Sequence, residues 1–222
     1  MSHTPEMIIS LIADLCGSDE FRRTQASFAL GVLGEPAVGP LTELLSSPDS
    51  ETRKRAAWVL GVVGAPALPR LLELAEGDDE HMRIEAIRVL GVVGEARALN
   101  RLFIGLADPN PRVAARAARA IGKIGDTRAY HALITALRHP KPDVQFEACR
   151  ALVDLRIIEA IPALLELATI EDVRTSWGAS VAEAAERAAA ELASFANEPI
   201  RDSDFERASR LLREQHFTGE DA

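Results

Sequence analysis

A sixteen-residue stretch recurs five times along this chain, and the recurrence limits the fold more than any other feature. In its third copy it runs from Asp79 to Gly94. Aligned on Leu30, Leu60, Leu90, Ile121 and Leu152, the copies are 30, 30, 31 and 31 residues apart. An alanine stands four places before every anchor, at Ala26, Ala56, Ala86, Ala117 and Ala148. The first three copies also share an arginine (Arg23, Arg53, Arg83) and an aspartate (Asp19, Asp49, Asp79). Glycines follow the anchor at Gly31 and Gly34, Gly61 and Gly64, Gly91 and Gly94, and Gly122 and Gly125. A fixed period of this size marks a solenoid, in which each unit buries its apolar face only against its neighbours.

Each repeat reads as two helices. Apolar residues at helical spacing, such as Ile8, Leu11, Ile12 and Leu15, form a first helix A. A short turn follows, and the aspartate caps a second helix B. Glycine then ends helix B, because it adopts positive φ without steric cost. Thr4 reads as the N-cap of the first helix, with Pro5 in its first turn. The fifth copy lacks its glycines and has Val153-Asp154-Leu155-Arg156 instead. Beyond Ala168 the pattern blurs. A helix B broken or delayed near Gly178 is expected, restarted by the capping box Ser180-Val181-Ala182-Glu183. The expected architecture is all-α: an α-α superhelix of about six helix pairs over residues 5–196, the last irregular. A capping helix at 200–216, with Phe205, Ala208, Leu211 and Leu212 on one face, and a disordered tail at 217–222 complete it.

Composition narrows the function. Hydrophobic residues are 47% of the chain, enough for a continuous core, but aromatics are only 5%. The formal net charge of −9 disfavours nucleic acid as a partner, since such binding neutralises phosphates. The two cysteines, Cys16 and Cys149, make no disulfide framework, and Cys149 reads as a buried thiol. No apolar run reaches the length of a membrane span and no secretory leader is visible, so a cytoplasmic location is the expectation. The histidines show no metal-binding spacing, and neither a nucleophile elbow nor a phosphate-cradling loop is present. No catalytic, metal or cofactor residue is therefore assigned.

The aspartate and arginine columns read as a structural ladder. Asp19, Asp49 and Asp79 cap helix B, and Arg23, Arg53 and Arg83 are expected to reach a carboxylate or carbonyl of the adjacent repeat. The glycine pairs read as helix ends. The opposite side of helix B is more informative. Two places before the anchor the residues are Phe28, Trp58, Arg88, Arg119 and Arg150. Five places before, they are Gln25, Arg55, Glu85, Arg116 and Glu147, and two places after, Val32, Val62, Val92, Lys123 and Asp154. These positions share one helix face. Up the stack, that face is apolar in its N-terminal half and basic in its C-terminal half. Aromatics beside arginines have the composition of an interface hot spot. Phe28, Trp58, Arg55, Arg88, Arg116, Arg119 and Arg150 are the candidate partner-binding residues. The competing account is a solvated charged face, with Glu85 paired to Arg88 and Glu147 to Arg150 three residues apart.

The motif D-x-x-x-R-x-x-A-x-x-x-L-G-x-x-G, complete from Asp19 to Gly34, Asp49 to Gly64 and Asp79 to Gly94, resembles HEAT repeats of the short, phycobilisome-lyase-like subclass. The copy from Asn110 to Gly125 has Ala114 in place of the arginine, and the last keeps little beyond Ala148 and Leu152. Residues 177–183 are similar to the C-terminal part of phycobilin-lyase and phycobilisome-degradation proteins. The resemblance implies B helices on the concave side, where these residues would line one groove, and a scaffold or adaptor whose concave face holds a protein partner or peptide. Alternatively, it implies a cytoplasmic bacterial protein related to phycobilin lyases or phycobilisome-degradation factors, which handles a linear tetrapyrrole or chlorophyll-type pigment, with arginines on its propionates and Trp58 and Phe28 packed on its rings. If there is activity at all, it would be like that of a bilin lyase.

Overall fold

The computed structural model describes residues 5–170 and 173–197. The expected cap by Thr4, the helix at 200–216 and the tail lie outside the described residues. Twelve α-helices follow one another among them: α1 (Pro5–Cys16), α2 (Glu20–Leu33), α3 (Glu35–Glu43), α4 (Ser50–Val63), α5 (Leu68–Glu76), α6 (Glu80–Val93), α7 (Leu99–Gly105), α8 (Pro111–Ile124), α9 (Tyr130–Ala136), α10 (Pro142–Asp154), α11 (Ile161–Ala168) and α12 (Val181–Asn197). Odd-numbered helices are the A helices and even-numbered ones the B helices. The fold is an all-α solenoid.

The anchor and alanine columns form the spine of the core. Leu30, Leu60, Leu90, Ile121 and Leu152 are fully buried, and Ala26, Ala56, Ala86, Ala117 and Ala148 beside them are nearly so. Alanine at this position lets helix A lie close to helix B. Neighbouring B helices pack on one another along the whole array, whereas successive A helices touch far less. Closer packing on the B side bends the stack, and the B helices line the inner face.

The glycines divide the work differently from the expectation that both end a helix. Gly34, Gly64, Gly94 and Gly125 do end helix B, each with φ between 69° and 78°. Gly31, Gly61, Gly91 and Gly122 lie inside the helix, and the next B helix fills the space where a side chain would be. A Cβ on Gly31 would stand 2.7 Å from Val62 Cγ1, and one on Gly61 2.7 Å from Val92 Cγ1. On Gly91 and Gly122 it would stand 2.8 Å from the Cα of Ala120 and of Ala151. Where the fifth repeat lacks its terminating glycine, Arg156 takes its place at φ 52°, and Ile157 N donates to Leu152 O at 3.1 Å.

The aspartates cap as the sequence suggests. Asp19 accepts from Phe21 N and Arg22 N, Asp49 from Glu51 N and Thr52 N, and Asp79 from Met82 N. The arginines need correction. Their Nη1 atoms turn back onto the A–B turn of their own repeat rather than onto the neighbour. Arg23 donates to Gly17 O and Ser18 O, Arg53 to Ser47 O and Pro48 O, and Arg83 to Gly77 O and Asp78 O, all within 2.7–3.1 Å. The reason is geometric: the turn carbonyls lie one helical turn below the arginine, within reach of its stem. A bridge to the next repeat is close only at Arg83, whose Nε lies 3.2 Å from Asp108 Oδ2; Arg53 reaches Glu85 at 4.0 Å.

Candidate functional site

The inner face carries two unlike ends. At the N-terminal end Phe28 and Trp58 come from successive B helices and meet edge to face, ring centroids 6.2 Å apart. Phe28 is 59% exposed and Trp58 49%, so the pair is solvated instead of packed in the core. Val32 beside them is 87% exposed. Val62 and Val92 are less so, because their methyls sit in the notches left by Gly31 and Gly61. These valines thus join repeats as well as lining the groove.

The basic residues fall into two groups. Arg55 Nη1 donates to Leu15 O at 3.1 Å, which ties α4 to the end of α1. Arg88 donates from Nε and Nη2 to one oxygen of Glu85 at 2.9 and 2.5 Å. Both side chains are thereby partly spent on the scaffold. Glu147 behaves otherwise than the three-residue spacing implies. Its Oε1 lies 3.3 Å from Arg119 Nη1 on the preceding B helix, and not on Arg150. It is 7% exposed, and its Oε2 has no hydrogen-bond partner among the described residues. Arg150 and Arg116 make no ion pair with a described residue and stand exposed.

The cations crowd one helix. Arg112, Arg116, Arg119 and Lys123 are spaced four, three and four apart on α8, which sets them on one stripe. Although the side chain is exposed overall, partial desolvation of its guanidinium between α6 and α10, then the charges of Arg119 and Arg88, push Arg116 below its ordinary pKa, against the opposite pull of Glu85 and Glu147. Lys123 is lowered in the same way, by burial and then by Arg119, Arg88 and Arg116. Like charges held this close repel in the free protein, and an anion would relieve the repulsion.

Sequence reasoning missed Arg112, although it continues the stripe nine places before the anchor. It also left Trp177 unplaced. The loop at 173–180 brings Trp177 edge to face with Phe146, centroids 5.5 Å apart, beside Arg112, Arg116 and Arg150. Among the described residues no three His, Cys, Asp or Glu side chains converge as a metal site would require. No single helix there is long and apolar enough to cross a membrane.

Comparison with known proteins agrees with this architecture. The family model for HEAT repeats matches residues 6–91, 38–109 and 99–193. The chain belongs to the HEAT-repeat family. Among solved structures it is similar to the complex of CpcE and CpcF of phycocyanin lyase from Nostoc sp. PCC7120. That match has 20% identity and a TM-score of 0.60, and covers 69% of this chain and 98% of the other. An engineered protein matches at 22% identity and TM-score 0.48, covering 84% and 96% of the two chains. A designed armadillo repeat protein in complex with the peptide (KR)4 matches at 21% identity and TM-score 0.48, covering 82% and 99%. At such identities the likeness is one of fold. No curated protein matches the chain.

Proposed function

We propose that the protein is a non-catalytic HEAT-repeat adaptor that holds a segment of a protein partner along its inner face. The observation that carries this reading is the presence, on the same face, of an exposed Phe28–Trp58 patch and of Arg116 and Arg150, which make no ion pair with a described residue. The apolar end would take a hydrophobic anchor and the basic end the partner's anions. Guanidinium groups bind carboxylates through two parallel donors, so the basic end also sets orientation. Peptides selected from a random displayed library test the reading by calorimetry. Trp58→Ala, and separately Arg116→Ala with Arg150→Ala, should each weaken binding about tenfold or more, that is about 1.4 kcal/mol. Arg128→Ala, outside the groove and paired with Asp126, should leave affinity unchanged. Equal affinity for all variants would remove the groove from the account.

A second reading is favoured by the lining of the C-terminal cleft, where arginines stand beside Phe146 and Trp177. A linear tetrapyrrole, with two carboxylates on a flat apolar body, would suit such a lining, and the fold is shared with the phycocyanin lyase complex. Titration with a linear tetrapyrrole, followed by visible absorbance and tryptophan quenching, checks it. Saturable one-to-one binding lost on replacing Arg88, Arg119 and Arg150 by Ala would support it. No binding at micromolar concentrations would end it.

A further inference from the structure

The loop that delays α12 builds the wall of a cleft. Residues 173–180 fold back through an isolated bridge between Arg174 and Ser180, with a turn at Gly178, whose φ is +87°. The loop is pinned to α10. Ser176 donates from its backbone N and from its Oγ to the two oxygens of Asp143, each at 2.7 Å. Trp177 is thereby held over the inner face, 54% exposed. Between this loop, α8 and α10 lies a cleft of about 440 Å³. That volume is in the range of small-ligand sites.

Charge decides what the cleft would take. Arg112, Arg116, Arg119 and Arg150 line it against the two carboxylates Asp143 and Glu147. Asp143 is committed to Ser176, and Glu147 to Arg119. Arg112, Arg116 and Arg150 make no ion pair with a described residue. Four guanidinium groups less two carboxylates leave an excess of two positive charges, in a chain of net charge −9. One carboxylate would answer half of that excess. A phosphate monoester carries about −1.5 to −2 near neutral pH and offers three acceptor oxygens. Guanidinium forks match that geometry. The flat wall of Trp177 and Phe146 suits an aromatic group on the ester.

We propose that this cleft binds a phosphate monoester bearing an aromatic group, with Arg112, Arg116 and Arg150 on the phosphate and Trp177 against the ring. The proposal rests on the inner face being a binding face and names the chemistry its basic end takes.

The chain has two tryptophans, so Trp58→Phe leaves Trp177 as sole reporter. In that background, phenyl phosphate should quench emission saturably and bind at least about tenfold more tightly than benzoate, which has the ring but one charge. Arg116→Ala with Arg150→Ala should weaken phenyl phosphate by a similar factor while the helical circular dichroism is kept. Arg128→Ala should change nothing. A phosphotyrosyl peptide run alongside separates the two sources of such an ester. Tighter binding than phenyl phosphate indicates a modified side chain of a partner, and equal binding indicates a free ester. Benzoate binding as well as phenyl phosphate, or no saturable change up to millimolar phenyl phosphate, would overturn the assignment. If that happens while selected peptides still depend on Trp58 and the arginines, the groove reading stands alone. If those peptides also ignore the groove, both fall.

Discussion

The glycine one place after each of the first four anchors determines how closely the next repeat can approach. At Gly122 a new Cβ would meet backbone, 2.8 Å from Ala151 Cα, with Asp154 Oδ2 at 3.1 Å. Backbone cannot yield cheaply, so an overpacking cost of about 1–3 kcal/mol exceeds the roughly 1 kcal/mol that alanine gains in helix propensity. Gly122→Ala should therefore lower the denaturation midpoint, and more than Gly31→Ala, whose obstacle is the Val62 side chain. Gly39 meets nothing described within 4 Å beyond its chain neighbours, but it is a helical residue directly before Pro40, whose Cδ disfavours a Cβ in that conformation. Gly39→Ala should therefore not gain the roughly 0.5–1 kcal/mol that the same change brings elsewhere in a helix. Cys149 provides a check on burial: its thiol is pushed up to about 12, mainly by desolvation, whereas Cys16 is exposed. A thiol reagent at mildly alkaline pH should count one thiol in the native protein and two after denaturation. Two in the native protein would contradict the packing of α10. At Asp49, hydrogen bonds from Thr52 and then Glu51 hold the carboxyl below its ordinary 3.8. Its contribution is thus present above that value and is lost as pH falls through the lower folded pKa.

At the scale of the helix pair, the starts of α2, α4 and α6 are each fixed by one aspartate and one arginine four residues apart. Arg53 Nη1 bridges Ser47 O and Pro48 O. Removing it leaves the partly buried Ser47 carbonyl without that donor, at a cost of about 1 kcal/mol, while the exposed Pro48 carbonyl is met by water. Arg53→Ala should lower stability in chemical denaturation by that order, and Arg22→Ala, which removes the exposed arginine next to Arg23 in the first repeat, by much less. Equal effects would mean the clamp contributes nothing. This pair of residues also shows what was legible beforehand. That Asp19, Asp49 and Asp79 cap helices follows from local rules, and the repeat itself displays the rule three times. Where the arginines point does not follow from spacing alone, because turn carbonyls and neighbouring carboxylates are both within reach of a long side chain. The double role of the glycines was hidden for a related reason. Gly34 acts through its own φ, a local property, while Gly31 acts through Val62, thirty-one residues away.

Across the whole molecule, a regular stack turns one helix face into a single groove, apolar at one end and basic at the other. That polarity was readable from three columns of the repeat, because identical placement in successive units puts equivalent side chains on one side. The cleft at the C-terminal end was not readable. It depends on the loop at 173–180, which follows no repeat grammar, and on Glu147 choosing Arg119 over the nearer-in-sequence Arg150. The most direct test of the groove is hydroxyl-radical footprinting of the protein with and without a selected peptide. The account predicts that Phe28, Trp58 and Trp177 lose reactivity on binding, while Ile104 and Leu165, exposed on A helices, do not change. Protection of Ile104 and Leu165, with the inner aromatics reacting as in the free protein, would contradict it.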